Sequence, residues 1–384
     1  MKKIAIIFPF ARENGACRVP CEHSKMFVNA GHDVDLIVRD DDAVFPYAGN
    51  LINLKVKSRT GILKIVTYLE LYLKIRKIKK KNNYDIAISH IPHCDFINVI
   101  TKNNEKTITT VHINNEKRYS YLSNKLLGFI FLRSDSVVTV SKQLKENLTS
   151  RYPSQKDKII SIYNPVNIEN VRDLSNAKVD DEVSSSDFII NIGRLDKQKG
   201  QIYLIKSFSQ MLRSYPRLAR IKLLIIGSGP MKEELEVIIK EYGLEDNVIL
   251  LGFKNNPYKY LKKAKLFVLT SLYEGFPLVL LEAMACGTPI LSTACETGPY
   301  ELLHDAQEQL ACGILMPDLA VAEDKGSDHI ESLVDDLAEN IANVLNSPAL
   351  CNQLVLNATN KVQKFTPEEV MKSWEGLFGD SYGK

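Results

Sequence analysis

The sequence lacks the features of a membrane-spanning or disulfide-stabilised protein. No stretch approaches the roughly 18 to 20 consecutive apolar residues that a helix needs to cross a bilayer. The 7 cysteines include no C-x-x-C pair, so neither a disulfide framework nor a zinc ribbon is indicated. We therefore expect reduced thiols in a cytoplasmic protein, and we expect no nucleic-acid partner.

A signal peptide and a dinucleotide-binding fingerprint are also missing. The apolar run Ile4–Phe8 follows two lysines, as in a signal peptide, but it is short, meets Pro9 and has no proper cleavage site after it. We expect a buried first strand instead. The segment Phe8–Glu13 replaces the glycine-rich turn of nicotinamide-binding folds, which argues against a dinucleotide oxidoreductase.

No pattern of carboxylates or histidines fits a catalytic metal. Asp33 and Asp35 enter a predicted strand, and Asp40–Asp42 has the composition of a solvated turn. The segment His90–Cys94 holds three potential ligands, but its proline and its tight spacing match no standard zinc pattern. We expect no metal and no resident cofactor, and we expect the two histidines of that segment to line a cleft or to satisfy local hydrogen bonds.

What the sequence does contain is an alternation of short apolar runs with longer amphipathic segments. With 384 residues, 45% of them hydrophobic and 25% charged, the chain is long enough for two globular domains. The alternation is typical of parallel α/β units. The predicted strands of a first series are Lys3–Phe8, Val34–Val38, Ile86–Ser89, Thr107–Val111, Ser136–Val140 and Ile159–Ile162. Those of a second series are Phe188–Ile192, Lys222–Ile226, Val248–Leu251, Leu266–Thr270 and Pro289–Ser292.

The predicted fold class is α/β, with two Rossmann-like domains that face a central cleft. A polar, apolar-poor stretch, Asn170–Asp187, separates the two series and is the predicted linker. We place the first domain at residues 1–168 and the second at residues 169–365. Ligands of such sheets bind at the carboxyl ends of the strands, where loops and helix N-termini present backbone amides.

Positive charge is concentrated in the first part of the chain. The chain carries +3 in all; residues 1–160 carry +12, which leaves −9 for the remainder. Much of the excess lies in Lys74–Lys81, at the end of a segment with helical apolar spacing. The apolar residues of that segment are Leu63, Ile65, Val66, Leu69 and Leu73. A basic amphipathic helix is suited to an anionic membrane surface; the solvated face of an ordinary domain helix is the alternative.

The segment that begins with Glu274 carries the strongest functional signal. It follows a predicted strand and opens a helix, with Pro277 expected at the first helical position, where its missing N–H is no loss. The free amides of Leu278 and Val279 would then point outward at the positive end of the helix dipole, as a phosphate site requires. Glu282 lies two turns after Glu274, so both carboxylates can address one extended ligand. A carboxylate that accepts two hydrogen bonds suits a ribose diol.

A basic loop, Asn191–Gly200, follows another predicted strand. Arg194 can hold a pyrophosphate as a bidentate fork, and Lys199 can add a point charge. Cations there would stabilise the charge on a departing nucleoside diphosphate, which is where a glycosyl-transfer transition state needs them. The loop alone is weak evidence for a diphosphate site, but together with the Glu274 segment it is strong evidence.

The two motifs resemble those of glycosyltransferase family 4 (group 1), a family of retaining enzymes with the GT-B fold. The family's E-x7-E motif is matched by Glu274 and Glu282. Its G-R-L-x-x-x-K-G motif is matched by Gly193, Arg194, Leu195, Lys199 and Gly200. The resemblance extends over nearly the whole chain through weaker motifs in the family's order. These are Gly31–Val34, Thr110–His112, Val138–Ser141, Ile162–Asn167 and Ile225–Pro230.

The resemblance implies a donor site in the second domain. Arg194 and Lys199, beside Gly193, would hold the donor diphosphate, and Glu282 would hold the ribose hydroxyls. The sugar and the phosphates would be held by Glu274 and by the backbone of Gly275, Phe276, Leu278 and Val279.

The resemblance also implies roles for residues outside these motifs. His112 would contact the transferred sugar from the opposite domain; a purely structural histidine is the alternative. Gly15 would let the first loop approach the reacting centre, because glycine permits close backbone contact. The segment of Phe253 and Lys254 would lie near the base. The family's first loop often reads G-G-A-E-R-V, whereas Asn14–Val19 here lacks the first glycine and the glutamate, which affects the expected geometry on the acceptor side.

For the whole chain, the resemblance implies a retaining hexosyltransferase that uses a nucleotide-diphosphate sugar, with a UDP-sugar as the family-level expectation. The acceptor would be a saccharide or lipid-linked glycan in the synthesis of a bacterial surface polysaccharide such as O-antigen, lipopolysaccharide or capsule. The enzyme would then work at the cytoplasmic face of the inner membrane, with its basic first half toward anionic lipid. A final helix within residues 366–384 would cross back to the first domain and permit closure.

Two questions stay open at the level of sequence. Retention allows either a double displacement, for which Glu274 is the obvious nucleophile, or front-face attack, in which the leaving phosphate accepts the acceptor's proton. The alternatives to a transferase are a sugar-nucleotide epimerase or hydrolase of the same fold, and a non-catalytic protein that binds nucleotide sugars.

Overall fold

The structure is a computed structural model that describes most of the chain in two compact units. The described residues are 1–9, 15–39, 45–113, 121–179, 183, 186–295, 297–305 and 310–379. The first unit comprises Met1–Val166 together with Phe365–Lys384, and the second comprises Asn167–Lys364. The division falls two residues before the predicted one.

The first unit contains a seven-stranded parallel sheet. Its strands are β1 (Lys3–Phe8), β2 (Asp33–Val38), β3 (Asn50–Asn53), β4 (Ile86–His90), β5 (Lys106–Val111), β6 (Ser136–Thr139) and β7 (Ile159–Ser161). The order across the sheet is β3-β2-β1-β4-β5-β6-β7. The helices between them are α1 (Gly15–Asn29), α2 (Lys64–Asn82), α3 (Pro92–Ile100), α4 (Tyr121–Arg133) and α5 (Lys142–Arg151). The order reverses between β1 and β4, which is the switch point where ligands of such sheets bind.

Strand β1 shows why the sequence forms a sheet that is covered on both faces. Alternate residues point to opposite sides of a strand. Ile4, Ile6 and Phe8 belong to one buried cluster, whereas Ala5 and Ile7 belong to another. A strand buried on both faces requires a continuous apolar run, and this one has it.

The second unit contains a six-stranded parallel sheet and a short antiparallel pair. The strands are β8 (Phe188–Ile192), β9 (Lys222–Ile226), β10 (Val248–Gly252), β11 (Leu266–Leu269), β12 (Ile290–Thr293), β13 (His304–Asp305), β14 (Leu310–Ala311) and β15 (Ile314–Met316). The main sheet has the order β10-β9-β8-β11-β12-β15, and β13 pairs with β14. The helices before the chain leaves this unit are α6 (Ile168–Ser175), α7 (Gln201–Ser214), α8 (Lys232–Glu241), α9 (Tyr258–Lys263), α10 (Leu278–Cys286), α11 (Pro299–Leu303), α12 (Leu319–Lys325), α13 (Ser327–Leu345) and α14 (Pro348–Lys361). The switch point lies between β8 and β11.

The last helix, α15 (Pro367–Gly379), packs in the first unit. Its Trp374 is completely buried and meets Phe27 of α1 edge to face, with 5.4 Å between ring centroids. Phe378 also lies against Phe27, at 5.3 Å. Large aromatic side chains contribute strongly to such packing, so α15 is part of the core of the first unit.

The α/β class and the two parallel sheets are confirmed, but the predicted linker is wrong over its first part. Residues Ile168–Ser175 form α6, in which Ile168 and Val171 are buried one turn apart. The Asn167 side chain caps this helix by accepting a hydrogen bond from the Asn170 amide at 2.9 Å. A short helix with a single apolar turn has too little apolar content to stand out in composition.

Candidate active site

The loop after β11 carries Glu274, and two side chains hold its carboxylate. Lys199 Nζ lies 2.5 Å from Glu274 Oε1, and the Ser271 hydroxyl donates to the same oxygen at 2.7 Å. Thr297 Oγ1 donates to the Glu274 backbone carbonyl. Glu274 is therefore buried and fixed from three sides, at the switch point of the second sheet.

Lys199 reaches Glu274 because two backbones come very close. Gly200 has φ +61°, and a Cβ atom there would lie 2.1 Å from the Thr270 carbonyl oxygen. The Thr270 hydroxyl in turn donates to the Lys199 carbonyl at 3.1 Å. Only glycine fits this position, and it brings the loop after β8 against the loop after β11.

Arg194 does not join this ion pair directly. Its guanidinium lies 2.7 Å from Asp196 Oδ2, with the side chain half exposed, and donates to Gln198 Oε1 at 3.3 Å. Gln198 Nε2 donates to the Tyr273 carbonyl at 2.9 Å. The structure thus links Arg194 to the Glu274 loop through Gln198, a residue that the motif comparison did not single out.

Glu282 is buried on α10, and its carboxylate has a tyrosine partner. The Tyr258 hydroxyl at the start of α9 donates to Glu282 Oε1 at 2.9 Å. Tyr258 was not among the predicted site residues, because it lies outside both motifs and reaches Glu282 only through the packing of α9 on α10. This hydrogen bond to one carboxylate oxygen fixes the orientation of Glu282, as the binding of a ribose diol would require.

The N-terminus of α10 lies directly after the Glu274 loop. The helix begins at Leu278, and Pro277 is its N-cap with φ −72° and ψ 103°, so the expectation that Pro277 is the first helical residue was wrong by one position. Proline has no amide hydrogen, and Leu278 and Val279 supply the first amides. The first turn carries no acidic side chain, which leaves the positive end of the dipole for an anionic ligand.

Close backbone contacts surround these loops. Gly227, after β9, has φ +151°, and a Cβ atom there would lie 1.8 Å from the Gly193 carbonyl oxygen. Gly298 has φ +84°, and its Cβ would lie 2.7 Å from the Gly275 carbonyl oxygen. Phe276, next in the chain, is buried. Gly227 and Gly298 therefore allow their loops to pack against the backbones of Gly193 and Gly275 without a side chain between them.

Phe253 and Lys254 follow β10. Phe253 is exposed, and the Lys254 ammonium lies over the Tyr260 ring, 5.9 Å from its centroid. An exposed aromatic ring at the carboxyl edge of the sheet can stack on a base, but no described contact joins either residue to Glu274 or Lys199.

In the first unit, the structure pairs His112 with another histidine. His112 Nε2 lies 2.8 Å from His90 Nδ1, and the rings stack with centroids 5.0 Å apart. His23 of α1 completes the group, 5.4 Å from the His90 ring. Burial lowers the pKa of His112 to about 4. Burial, and then positive charge on His112, lower the pKa of His23 to about 3.

The pKa of His90 is lowered well below its ordinary value, again chiefly by burial. All three imidazoles are therefore neutral at pH 7. His23 was missed by the sequence analysis because nothing in the sequence places α1 against the ends of β4 and β5. Gly15 begins α1, whereas Asn14 and the four residues before it lie outside the described part of the chain.

Comparisons with known proteins agree with this architecture. Residues 175–361 match the family described as glycosyl transferases group 1, and residues 14–170 match Glycosyltransferase Family 4. An uncharacterized glycosyltransferase of Methanocaldococcus jannaschii is 33% identical over 271 residues, 66% of each chain. The N-acetylgalactosamine-N,N'-diacetylbacillosaminyl-diphospho-undecaprenol 4-alpha-N-acetylgalactosaminyltransferase of Campylobacter jejuni is 28% identical over 317 residues, 79% of this chain and 84% of that one.

Among solved structures, that of Anabaena HepE in complex with UDP and glucose is similar, with a TM-score of 0.76 and 18% identity over 98% of this chain and 99% of that one. Two parallel-sheet units in tandem, with these matches, define a glycosyltransferase of the two-domain GT-B fold. The chain belongs to the group 1 glycosyltransferases of the family 4 type, and it is a hexosyltransferase-type enzyme.

Proposed function

We propose that the chain transfers a hexose from a UDP-sugar to a lipid-linked glycan in the assembly of a bacterial surface polysaccharide, with retention of configuration and without a metal. The observation that carries the proposal is the contact between Lys199 and Glu274 beside the N-terminus of α10. Two names add support: the Campylobacter relative is named for a diphospho-undecaprenol acceptor, and the Anabaena structure holds UDP and glucose.

The donor diphosphate is the natural ligand of the positive groups at this site. Lys199 supplies one charge, and the amides of Leu278 and Val279 supply the positive end of a helix dipole. Arg194 is bound to Asp196, but an exposed ion pair contributes only about 0–1 kcal/mol. Its guanidinium can therefore exchange that partner for a diphosphate at small cost. These groups together replace the charge that a divalent metal would supply.

Front-face attack suits the environment of Glu274 better than a double displacement. Both Lys199 and Ser271 contact Glu274 Oε1, and a carboxylate held in this way is a weak nucleophile. In the proposed step the bond between the sugar's C1 and the diphosphate oxygen breaks. The acceptor oxygen bonds to C1 on the same face, and its proton passes to the departing phosphate. Glu274 holds sugar hydroxyls, and the cations stabilise the leaving diphosphate.

The test uses the purified full chain with a panel of UDP-hexoses and a bacterial lipid extract. We expect a glycolipid whose new linkage has the donor's anomeric configuration by NMR coupling constants, formed equally well in EDTA. Free sugar without acceptor, or an epimerised nucleotide sugar, would instead support the hydrolase or epimerase. An inverted product, or activity abolished by EDTA and restored by a divalent metal, would refute retention or metal independence respectively.

We also propose that α2 holds the enzyme on anionic membrane at the cytoplasmic face. The helix buries Thr67, Leu71, Ile75 and Lys79, and its apolar stripe points outward. The exposed residues of that stripe are Ile65, Val66, Leu69 and Leu73, and Leu63, the N-cap directly before the helix, is exposed as well. Lys79 is not a surface charge, because it is buried against Glu105 at 2.8 Å. An outward apolar stripe on a lysine-rich helix is typical of interfacial binding. No helix in the described residues is long and apolar enough to span a bilayer.

Liposome sedimentation tests this orientation. We expect the full chain to bind vesicles with anionic lipid more strongly than neutral vesicles at moderate salt, and the double variant Leu69→Gln, Leu73→Gln to lose most of that binding. Leu356 in the second unit is as exposed as Leu69 and Leu73, at 57% for each, so Leu356→Gln is the matched control. Equal binding to both vesicle types, or equal loss in the control, would refute the proposal.

A further inference from the structure

The ion pair between Arg194 and Asp196 lies beside the proposed donor site. Arg194 Nη2 is 2.7 Å from Asp196 Oδ2 and donates to Gln198 Oε1 at 3.3 Å. Gln198 is buried, and its Nε2 donates to the carbonyl of Tyr273, the residue before Glu274, at 2.9 Å. One neutral partner and one charged partner therefore hold the guanidinium next to the Glu274 loop.

The main chain at Arg194 is fixed, whereas its side chain is half exposed. The Arg194 carbonyl accepts from Nε2 of the buried Gln201 at 2.9 Å and from the Asp196 amide at 3.0 Å. The next amide, of Leu195, donates to the Ser228 carbonyl at 2.9 Å. The Arg194 side chain is 49% exposed. A change of partner at Arg194 therefore requires only the rotation of an exposed side chain on an unchanged backbone.

Asp196 occupies an N-cap position without making the cap. It precedes the short 3-10 turn Lys197–Lys199 with φ −141° and ψ 166°, the extended conformation of an N-cap residue. An aspartate in this position ordinarily accepts a hydrogen bond from an amide of the turn that follows. Its side chain makes no such bond to the turn, all of which the structure describes. The carboxylate therefore has a second set of donors within reach, in its own turn.

The two carboxylate oxygens of Asp196 differ in their surroundings. Oδ2 contacts Arg194, whereas Oδ1 is buried and has no hydrogen-bond partner among the residues that the structure describes. A carboxylate with one unsatisfied buried oxygen is not in its most stable arrangement. A turn towards the amides of Lys197–Lys199 would replace the partner that it loses when Arg194 moves away.

We propose that Asp196 is a placeholder for the phosphate groups of the donor. Its carboxylate neutralises Arg194 before a nucleoside diphosphate binds, and it gives way when the diphosphate takes the guanidinium. It then caps the turn Lys197–Lys199, and it returns to Arg194 as the diphosphate leaves after transfer. The inference rests on the proposed function, because that function assigns the donor diphosphate to Arg194.

The variant Asp196→Asn distinguishes a placeholder from a residue that orients Arg194. Asparagine has the same shape and caps a turn as well as aspartate does, but it has no charge with which to hold a guanidinium. If Asp196 competes with the diphosphate, its loss tightens donor binding. If it orients Arg194 for the diphosphate, its loss weakens donor binding. The two roles therefore predict effects of opposite sign.

Calorimetric titration of the full chain with UDP and with uridine provides the test. We expect the Kd for UDP to be about fivefold lower in Asp196→Asn, which corresponds to about 1 kcal/mol and is the upper end of what an exposed ion pair contributes. The Kd for uridine should change less than twofold, because uridine has no phosphate. Lys197→Met, at an exposed position of the same turn, changes the net charge by an equal amount and should alter the Kd for UDP less than twofold.

The same substitution in an Arg194→Met background shows whether the effect acts through Arg194. Without a guanidinium to release, Asp196→Asn should tighten UDP binding less than twofold. UDP affinity that is unchanged or weaker in Asp196→Asn, an equal gain for uridine, or an equal gain in the Arg194→Met background would each overturn the placeholder role. All three results leave UDP binding by the native chain, and with it the proposed function, intact. A native chain that binds no UDP would instead count against the proposed function itself.

Discussion

The Lys199 ammonium lies 2.5 Å from Glu274 Oε1, although the two residues are 75 positions apart in the sequence. The side chains are only 16% and 9% exposed, so this is a mostly buried ion pair. Removing one partner of such a pair leaves an uncompensated charge. Its position between the loops after β8 and β11 makes it a structural link, and it is the charged centre of the proposed donor site.

Replacing Lys199 by methionine should slow transfer without abolishing donor binding. Loss of one group that stabilises transition-state charge typically lowers kcat by about 10²–10³-fold, whereas Arg194 and the amides of α10 still hold the diphosphate. We expect kcat to fall by that amount and the Kd for UDP to rise less than tenfold. Lys197→Met, in the same loop but exposed, is the control. A similar loss in both variants, or an unchanged kcat in Lys199→Met, would remove Lys199 from the mechanism.

The hydrogen bond from Tyr258 to Glu282 gives a second prediction. Tyr258→Phe removes a donor worth about 1 kcal/mol, so UDP affinity should fall roughly fivefold because Glu282 loses its fixed orientation. Glu282→Ala should weaken UDP binding more, since both ribose contacts are lost. Thermal shift against UDP concentration measures both effects. Tyr300→Phe, at an exposed position of the same unit, should behave as the native chain, and equal UDP affinity in all three variants would contradict the ribose assignment.

Much of the fold could be read from the sequence because its central strands are buried on both faces. The predicted strands Phe188–Ile192 and Lys222–Ile226 coincide with β8 and β9. Strand β3 (Asn50–Asn53) was missed because it has an asparagine at each end and lies at the edge of the sheet. Edge strands need no continuous apolar run, so the pattern that reveals the others is absent.

The site could be predicted only where adjacent strands bring two loops together. The loops after β8 and β11 meet because those strands are neighbours. Lys199 and Glu274 were expected near one diphosphate because each motif follows a predicted strand and the two motifs resemble those of one family. The Arg194 pairing with Asp196 and the contact between Tyr258 and Glu282 depend on side-chain packing. No spacing rule in the sequence encodes such contacts.

Gly227 should tolerate no side chain. It has φ +151°, and a Cβ atom would lie 1.8 Å from the Gly193 carbonyl oxygen. Gly227→Ala therefore combines backbone strain with a clash against main chain, and we expect it to lower the free energy of unfolding by about 3 kcal/mol. Gly243 in the same unit has φ +63° with open space around its Cβ position, so Gly243→Ala should cost only about 1 kcal/mol. Urea unfolding measures the free energy of unfolding of both variants. Equal losses would show that the positive φ, and not the clash with the Gly193 carbonyl, sets the cost.

His23 makes the stability of the first unit depend on pH. Both of its ring nitrogens are buried, and neither has a hydrogen-bond partner among the residues that the structure describes. The ring lies 5.2 Å from that of Trp374, the single tryptophan of the chain. The groups that face it are His90, Phe27 and Trp374, with His112 acting on its pKa from slightly further away. An uncharged ring is stable in these surroundings, and a protonated one is not.

The folded chain holds the pKa of His23 at about 3, whereas an unfolded histidine titrates near 6.5. Between these values the unfolded state binds more protons, so stability is complete above about pH 6.5 and is lost as the pH falls. The variant His23→Phe lacks this loss. Between pH 7 and pH 5, the unfolding free energy of the native chain should therefore fall by about 2 kcal/mol more than that of His23→Phe. Trp374 fluorescence in urea at the two pH values measures the effect, with His329→Phe at an exposed position as the control. Parallel stability losses in the native chain and His23→Phe would show that His23 is not the group that titrates, because the remaining histidines and carboxylates are the same in both.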